Sequence, residues 1–337
     1  MTVLAADAGR TSFRAAVFAD GTRRASVKLD SGATLADDGG AARLLRLLDA
    51  AIRALGDAAI GELERLVVAA AGAIFRPAQA ERLADALAKA GYADQEVVVT
   101  TDIVAAHSGA LDGRSGVVLA AGTGAVAFGV SGSGNTALVD GAGYLIGDAG
   151  SGFAVGRAGL AAAMRHHDGR PGGSKRLARL AVDQFGPLAE LPGRLHGDSA
   201  PAREVASFAP AVAQAARDGD PTAAAIWRDA VAELADTAMA ACRALGDQER
   251  RVALTGSLFD LADLVTGPLS VTLAARQPGV VVRRATADAV VGAARLATRP
   301  AGVYENLLFR RPSSPPPATA EQHAPETRRW VERHADE

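Results

Sequence analysis

The feature that most constrains this chain is a pattern that occurs twice: an apolar strand, a short turn containing glycine and threonine, and a second apolar strand with no helix between them. The first copy, VLAADAGRTSFRAAVF, begins at Val3, and the second, VVLAAGTGAVAFGV, begins at Val117. Alternation of apolar residues on both sides of a turn is typical of an antiparallel hairpin. A Rossmann or P-loop motif would place a helix after its glycines. The repeat therefore predicts a duplicated α/β core.

The rest of the pattern predicts alternating strands and helices, then a mostly helical stretch after residue 140, then a last βαβ-like portion. The predicted strands are residues 3–6, 13–18, 66–71, 97–100, 117–121, 126–130, 252–254 and 280–283. The predicted helices are residues 41–55, 78–90, 103–111, 153–164, 175–185, 205–217, 223–245, 261–275 and 288–297. From Arg310 onward the chain is rich in proline and has no apolar periodicity, so we expect a disordered tail with one short helix at 327–334.

Charge and composition favour a small-molecule partner. The formal net charge of the 337 residues is −2, which provides no field to attract nucleic acid or an anionic membrane. No apolar run approaches the length of a membrane span, and the first residues lead directly into a strand rather than a signal peptide, so we expect a cytoplasmic protein. The single cysteine, Cys242, lies in a helical pattern and is expected to be a buried structural thiol.

The two turns have the chemistry of a phosphate site. Glycines such as Gly9, Gly122 and Gly124 let backbone N–H groups approach phosphate oxygens, and a threonine hydroxyl adds a donor. Asp7, just before the first turn, is placed to hold Mg²⁺ through water. Either turn alone is also compatible with an ordinary hairpin. A strand that ends in Thr-Gly-Ser at Gly256 adds a surface on which an adenosine could lie, although such turns are common.

Two aspartates stand where strands or glycine turns lead into helices. Asp102 follows an apolar strand and precedes an alanine-rich helix. This position is typical of a residue that caps a helix, and a carboxylate there can also accept the proton of an attacking hydroxyl. One residue can have both roles. Asp148 precedes Ala149-Gly150-Ser151-Gly152 and a further helix. A carboxylate at that point can bind sugar hydroxyls, because each of its oxygens accepts more than one hydrogen bond.

Taken together, these motifs resemble the actin-like ATPase superfamily of sugar kinases, Hsp70 and actin, and within it the BadF/BadG/BcrA/BcrD ATPase family, specifically its N-acetylglucosamine and glucosamine kinases. The resemblance covers residues 1 to 300 in order and depends on the segments DAGRT, TTDIVAAHSGA, LAAGTGAVA, GDAGSGFAVGR, ALTGS and ADAVVGAARLA. Their ordered combination is specific for the family and much less specific for the substrate.

The resemblance implies an α/β fold of two ribonuclease H-like domains with an interdomain cleft. The first domain would span residues 1–113 and be joined by a C-terminal helix at about 287–300. The second, with a helical insertion, would span 114–286, followed by a disordered tail at 311–337. ATP and Mg²⁺ are the implied cofactors, an amino sugar is the implied substrate, and a homodimer is left open.

The resemblance also implies a role for each matching residue. Asp102 would be the general base for the 6-hydroxyl of the sugar, and Asp7 would orient Mg²⁺. The residues implied to bind the nucleotide are Gly9, Arg10, Thr11, Gly122, Thr123, Gly124, Gly256 and Ser257. The residues implied to bind the sugar are Thr34, Asp102, Thr123, Gly124, Gly143 and Asp148.

Several positions depart from the family pattern and keep alternatives open. Arg10 stands where the family usually has glycine, Ala149 replaces a glutamate, and Thr34 stands near the place of an asparagine. The usual tryptophan before Asp148 is also missing. These differences make glucosamine an alternative to N-acetylglucosamine, and a regulatory nucleotide-binding ATPase without kinase activity is the alternative function.

Two other branches of the superfamily fit the sequence less well. Activators of radical dehydratases hold an iron–sulfur cluster with cysteine thiolates, and Cys242 alone cannot supply that set. ROK-type sugar kinases typically carry a cysteine-rich zinc motif, which the sequence lacks.

Overall fold

A computed structural model describes residues 1–10, 12–30, 34–56, 61–198, 200–246, 250–299 and 302–313. The described chain divides into two compact units. Unit 1 contains Met1–Arg114, Gly132–Gly134 and the described residues from Ala285 onward, and unit 2 contains Ser115–Ser131 and Asn135–Arg284. Each unit has one mixed β-sheet flanked by helices, which confirms the predicted α/β class.

The sheet of unit 1 has the order β11-β5-β4-β1-β2-β3. Strands β1, β4 and β5 are parallel to one another, whereas β2, β3 and β11 each pair antiparallel with a neighbour. The strands are β1 (Thr2–Ala8), β2 (Ser12–Ala19), β3 (Thr22–Asp30), β4 (Arg65–Ala70), β5 (Glu96–Thr100) and β11 (Phe309–Pro312). The first predicted hairpin is therefore confirmed, with Ala8 of β1 facing Phe13 of β2 across the turn.

The sheet of unit 2 repeats the same design, with the order β10-β9-β6-β7-β8. Its strands are β6 (Gly116–Ala121), β7 (Ala125–Val130), β8 (Thr136–Asp140), β9 (Arg251–Thr255) and β10 (Val281–Arg284). An antiparallel β6–β7 hairpin comes first, β8 extends it, and β9 and β10 add in parallel. Five strands of each sheet thus share order and direction, which confirms the duplication predicted from the two hairpins.

Helices fill the connections, and most of them begin and end close to the predicted residues. The α-helices are α1 (Gly40–Leu55), α2 (Pro77–Lys89), α3 (Asp102–Leu111), α4 (Gly152–His167), α5 (Lys175–Phe185), α6 (Leu191–Gly197), α7 (Pro201–Ala206), α8 (Ala209–Arg217), α9 (Pro221–Ala244), α10 (Gly267–Arg276) and α11 (Ala289–Thr298). None of the helices in the described residues is both long and apolar enough to cross a membrane.

The central strands of the unit 1 sheet are buried on both faces. Along β1, Leu4, Ala6 and Ala8 pack in a core with α1 and α2, while Val3 and Ala5 pack in a core with α11. This alternation follows from the period of two in a strand, and covering on both faces explains why β1 is apolar throughout. The core of unit 2 contains residues of every helix from α4 to α10. Cys242 has a buried thiol in this core, as predicted.

Two glycines allow α3 and α11 to pack closely. A Cβ on Gly292 would lie 1.9 Å from the carbonyl oxygen of Ala105, and a Cβ on Gly109 would lie 2.3 Å from the carbonyl oxygen of Asp288. Neither position therefore accepts a side chain without movement of the backbone. This contact fixes α3, the helix that begins with Asp102, against the last helix of unit 1.

The structure corrects several predicted boundaries. Residues 310–312, predicted to belong to the disordered tail, lie in β11, where Arg310 and Arg311 form ion pairs with acidic side chains of β5 and α2. The predicted helix at 205–217 is interrupted between α7 and α8. The predicted helix at 261–275 begins with a π-helical turn at Ala262–Thr266. Residues 314–337, including the predicted short helix at 327–334, lie outside the described residues.

Candidate functional site

The turn between β1 and β2 places three candidate residues of unit 1. Asp7 lies near the end of β1 and faces Arg14 across the hairpin, and its side chain is buried. The turn is closed by Gly9, whose N–H donates to the carbonyl of Ser12 at 3.1 Å. Arg10 is exposed at the tip. Thr11 lies outside the described residues, so its predicted role stays a prediction.

Asp102 follows β5 and is the first residue of α3. Its Oδ1 accepts hydrogen bonds from the Thr101 hydroxyl at 3.0 Å and from the Ile103 N–H at 2.9 Å. The N-cap itself is Thr101, not Asp102 as one of the two sequence-based alternatives had it. Asp102 is partly exposed, and neither of these two bonds uses its other oxygen, Oδ2.

Burial raises the pKa of both carboxyl groups in unit 1. The pKa of Asp7 is raised to about 7, first by burial and second by the negative charge of Asp102. The pKa of Asp102 is also raised by burial, although its hydrogen bonds and the positive charge of Arg10 oppose the shift. The charge of Asp102 therefore acts on Asp7, and the charge of Arg10 acts on Asp102.

The donor set of unit 1 fits a magnesium ion held mainly by phosphate and water. The described residues contain no group of three or more metal-ligating side chains. Mg²⁺ bound to a nucleotide needs no such group, because it keeps several waters and takes only one or two carboxylates from the protein. Asp7 provides such a carboxylate, and the repulsion that it experiences from Asp102 is the kind that a divalent cation relieves.

An ion pair beside this cluster was not predicted from the sequence. Asp288 is the N-cap of α11, where it accepts the N–H of Val291, and both of its oxygens accept from Arg23 of β3 at 2.9 and 2.8 Å. Burial acts to raise the pKa of Asp288, but the hydrogen bonds from Arg23 and Val291 and the positive charges of Arg23 and Arg14 together outweigh it, and the pKa is lowered. The partners are 265 residues apart, so no local pattern could have indicated the pair.

Thr34, the candidate sugar-binding residue of unit 1, lies in the loop after β3. It is 2% exposed, and its Oγ1 has no hydrogen-bond partner in the part of the chain that the structure describes. Its N–H is held by Asp37 at 2.7 Å, and the next N–H, of Leu35, donates to Ala71 just after β4. The loop is thus tied to the carboxyl end of a central strand, where ligands of α/β folds bind.

In unit 2 the turn between β6 and β7 is held by the N-terminus of α4. The carbonyls of Gly122 and Thr123 accept the N–H groups of Gly152 and Phe153 at 2.8 and 3.0 Å. The N–H of Gly122 donates to Gly124 within the turn at 2.9 Å. The first two N–H groups of α4 therefore donate to carbonyls of the turn and hold it in place. These two N–H groups are not available to bind a phosphate.

The loop after β9 packs against the same turn. Gly256 has a φ of 105°, and a Cβ on it would lie 2.2 Å from the carbonyl oxygen of Ala121, so only glycine fits. The neighbouring Ser257 has its Oγ 3.8 Å from the position of a Cβ on Gly122. Gly256 and Ser257 are exposed. The predicted adenosine motif and the predicted phosphate turn are therefore neighbours in unit 2.

Asp148 also reaches the turn. Its Oδ1 accepts the N–H of Ala125 at 3.1 Å, and a Cβ on Gly124 would lie 2.7 Å from the same oxygen. Gly124 is therefore needed to make room for the carboxylate of Asp148.

Gly143 is the other candidate residue of this loop. It has a φ of 82°, and its carbonyl accepts the N–H of Gly147 at 2.7 Å.

The structure thus brings the candidates together in two groups. In unit 1 the charge of Asp102 raises the pKa of Asp7, and the charge of Arg10 opposes the raised pKa of Asp102, whereas the backbone of Thr34 is held by Asp37. Unit 2 groups Gly122, Thr123, Gly124, Asp148, Gly256 and Ser257 by direct packing. Sequence reasoning missed Asp140, which binds the backbone at Asp148, and the only signal for it was a second aspartate eight residues earlier.

Comparison with known proteins gives both a family and individual relatives. A profile of the BadF/BadG/BcrA/BcrD ATPase family matches residues 6–297. Over 174 residues the chain is 28% identical to the N-acetylmuramic acid/N-acetylglucosamine kinase of Clostridium acetobutylicum. That match covers 51% of this chain and 56% of the relative, so the chain spans little more than half the length of the curated relative.

Two solved structures are also similar. A proposed N-acetylglucosamine kinase from Chromobacterium violaceum is 25% identical, with a TM-score of 0.68 over 87% of this chain and 97% of that one. A proposed N-acetylglucosamine kinase from Porphyromonas gingivalis is 19% identical, with a TM-score of 0.65 over 91% and 99% of the two chains. The second, at its low identity, shows the shared fold alone. The family profile extends from within β1 to within α11, and the chain belongs to the BadF/BadG/BcrA/BcrD ATPase family.

Proposed function

We propose that this chain is an ATP-dependent hexosamine kinase that phosphorylates the 6-hydroxyl of N-acetylglucosamine or glucosamine. The observation that carries the proposal is Asp102, a partly exposed carboxylate with a raised pKa at the carboxyl end of β5. A general base for an alcohol works best when its pKa lies closer to neutrality than that of an ordinary carboxylate. The kinase names of the similar proteins support a sugar as the acceptor.

In the proposed reaction, Asp102 accepts the proton of the sugar hydroxyl as the hydroxyl oxygen forms a bond to the γ-phosphorus of ATP. The bond from that phosphorus to the bridging oxygen breaks, and ADP leaves with its electron pair. The hydrogen bonds from Thr101 and Ile103 hold the carboxylate by Oδ1, so Oδ2 would take the proton. Phosphoryl transfer needs mainly positioning and charge neutralisation, and a single base is sufficient for the proton.

Unit 2 would contribute binding groups to this reaction. The turn Gly122–Thr123–Gly124 would face phosphate oxygens, and the exposed Gly256 and Ser257 would lie along the adenosine. Asp148 would accept hydrogen bonds from sugar hydroxyls. The packing of these residues against one another supports the assignment, because a rigid group loses less entropy on binding.

Asp7 would hold Mg²⁺ beside the phosphates, with Arg10 as a further positive charge. The ion would neutralise charge on the β- and γ-phosphates. Burial holds the pKa of Asp7 near 7, so part of the free protein would carry this carboxyl protonated at neutral pH. The carboxyl would then lose its proton when the cation binds.

The first experiment is an ADP-release assay with Mg-ATP and a panel of sugars. We expect N-acetylglucosamine or glucosamine to raise ADP release at least tenfold over the rate without sugar, because the acceptor supplies the attacking oxygen. The 6-deoxy form of the active sugar should give no increase. N-acetylmuramic acid belongs in the panel because of the name of the curated relative. Nucleotide binding without any sugar-dependent ADP release would contradict the kinase and favour the regulatory ATPase.

A second test concerns Thr34, whose buried hydroxyl has no partner among the described residues. Replacing Thr34 with valine keeps the shape and removes the hydroxyl. We expect the free protein to be as stable as the wild type or slightly more stable, because an unpaired buried polar group is lost. The KM for the sugar should rise several-fold if the hydroxyl binds it. An unchanged KM would exclude Thr34 from the sugar site, and the melting temperature serves as the control for folding.

A further inference from the structure

The loop between β8 and α4 has two aspartates in an unusual conformation. Asp140 and Asp148 have φ angles of 63° and 58°, a left-handed region that costs free energy for residues other than glycine. Asp140 ends β8, and Asp148 precedes the turn into α4. A left-handed backbone conformation at a residue other than glycine persists only where other contacts hold it, so Asp148 requires such contacts.

Asp140 supplies those contacts through both oxygens of its carboxylate. Oδ1 accepts the N–H of Asp148 at 2.7 Å, and Oδ2 accepts the N–H of Ala149 at 2.8 Å. The two bonds close a loop of seven residues and orient two consecutive peptide groups. Hydrogen bonds to an ionised acceptor are stronger than bonds between neutral groups, so one side chain fixes the backbone on both sides of the Asp148 Cα.

Gly147 makes room for this arrangement. A Cβ on Gly147 would lie 2.5 Å from Oδ1 of Asp140 and 2.9 Å from the Cβ of Ala142. Gly147 does not have a positive φ, so its backbone would accept alanine and only the crowding opposes it. The carboxylate of Asp140 therefore occupies the space that a side chain at residue 147 would need.

The backbone at residue 148 in turn aims the Asp148 carboxylate at the β6–β7 turn. The carboxylate accepts the N–H of Ala125 and lies within 3 Å of the position that a Cβ on Gly124 would take. Because a side chain leaves its Cα in a direction set by φ and ψ, release of the backbone at Asp148 would also release the carboxylate from this contact.

We infer that Asp140 is a positioning residue for the acceptor site: its carboxylate holds the backbone of Asp148 so that the Asp148 side chain is presented, already oriented, to the hydroxyls of the sugar. This inference rests on the proposed function, and it assigns a role to a residue that does not itself touch the substrate. The chemistry of the site is recognition of neighbouring hydroxyl donors by a fixed carboxylate acceptor.

The test compares Asp140→Ala with Asp20→Ala. Asp20 is another aspartate with a left-handed φ, of 51°, exposed at the β2–β3 turn, so its variant controls for removal of such a carboxylate. In the Asp140 variant we expect the KM for the active sugar to rise about tenfold to a hundredfold, as for other lost orienting contacts. The KM for ATP should stay within twofold of the wild type in the same assay. The Asp20 variant should change neither constant.

A second variant, Gly147→Ala, displaces the Asp140 carboxylate without removing it and should raise the sugar KM in the same way. An unchanged sugar KM in the Asp140 variant would overturn the inference. A parallel rise of both KM values in the Asp140 and Gly147 variants would also overturn it, because that result indicates a general loss of structure.

Hydrogen exchange separates this inference from the kinase proposal. In the Asp140 variant the amides of Asp148 and Ala149 should exchange faster than in the wild type, with the amides of β6 unchanged. If the wild type phosphorylates no sugar, the proposed function fails, and the exchange result still decides whether Asp140 holds Asp148. Unchanged exchange at these two amides would contradict the inference whatever the activity.

Discussion

Replacing Asp102 with asparagine is expected to lower the turnover number about a hundredfold to ten-thousandfold, which is the usual contribution of a general base. Asparagine has the same shape and keeps an oxygen that can accept the hydrogen bonds of Thr101 and Ile103, so α3 should begin as before. What is lost is the capacity to take a proton. The dissociation constant of a non-hydrolysable ATP analogue, measured by calorimetry, should therefore stay nearly unchanged.

The wild-type pH profile gives an independent check on Asp102. A general base acts only when ionised, and burial raises the pKa of Asp102 above its ordinary value of 3.8. The acidic limb of the kcat/KM profile should therefore lie at higher pH than for an ordinary aspartate. Activity should fall as the pH drops through that raised pKa, and in the asparagine variant only the acidic limb that Asp7 produces near its pKa of about 7 should remain.

Asp112→Asn is the matched control, because Asp112 ends the same helix and its φ of 54° suits asparagine equally well. It forms an exposed ion pair with Arg299, of the kind that contributes little to stability, and a second ion pair with the partly buried Arg295. This control should keep wild-type turnover. Full activity in the Asp102 variant, or a loss of nucleotide affinity equal to its loss of turnover, would contradict the assigned role.

The central strands and both hairpins could be predicted from the sequence because burial on two faces demands continuous apolar residues. The edge strands β3, β8 and β11 could not, whereas the edge strand β10 was predicted at 280–283. Residues Thr22–Asp30 of β3 are exposed or only partly buried, and they carry arginine, lysine and serine. β11 consists of Phe309–Pro312, and its two arginines are satisfied by ion pairs with residues far away in the sequence, such as Glu96. Such strands gain their stability from tertiary partners, which no local pattern records.

The candidate site shows the same division. Asp7, Asp102 and the two glycine turns could be found because each is attached to a predicted strand end. Asp140 could not be assigned a role, because its partners are the N–H groups of Asp148 and Ala149, and backbone donors have no sequence signature. Packing between residues far apart in the sequence also could not be predicted. Only the structure shows that Gly256 lies against Ala121.

Replacing Asp7 with asparagine is expected to stabilise the free protein at pH 8 and to weaken magnesium-dependent activity. The pKa of Asp7 is raised from 3.8 to about 7, so between these values the folded state binds a proton that the unfolded state has released. Stability of the wild type therefore falls as the pH rises through this window. At one pKa unit per 1.4 kcal/mol, the ionised Asp7 costs the fold on the order of 4 kcal/mol.

Melting temperatures from pH 3.5 to pH 8 measure this difference. The variant and the wild type should melt at similar temperatures below about pH 4, and the variant should gain stability up to about pH 7 and remain level above it. Asp263→Asn is a control of opposite sign. Asp263 has a pKa lowered to about 2, mainly by its hydrogen bond from Arg217, so the stability that it contributes is present above pH 3.8 and lost as the pH falls toward 2. Its asparagine variant should therefore gain nothing at pH 8.

The same Asp7 substitution should act on activity in the opposite direction from stability. If Asp7 orients a cation beside the phosphates, its loss should reduce turnover at limiting Mg²⁺ about tenfold to a hundredfold, and excess Mg²⁺ should recover part of it. The ionised carboxylate of Asp7 lowers the stability of the free protein. Binding of Mg²⁺ to this carboxylate would then explain why the protein has an aspartate at this position. A variant that is both more stable at pH 8 and fully active at limiting Mg²⁺ would leave Asp7 without a role in metal binding, whereas a variant without the stability gain would contradict the raised pKa itself.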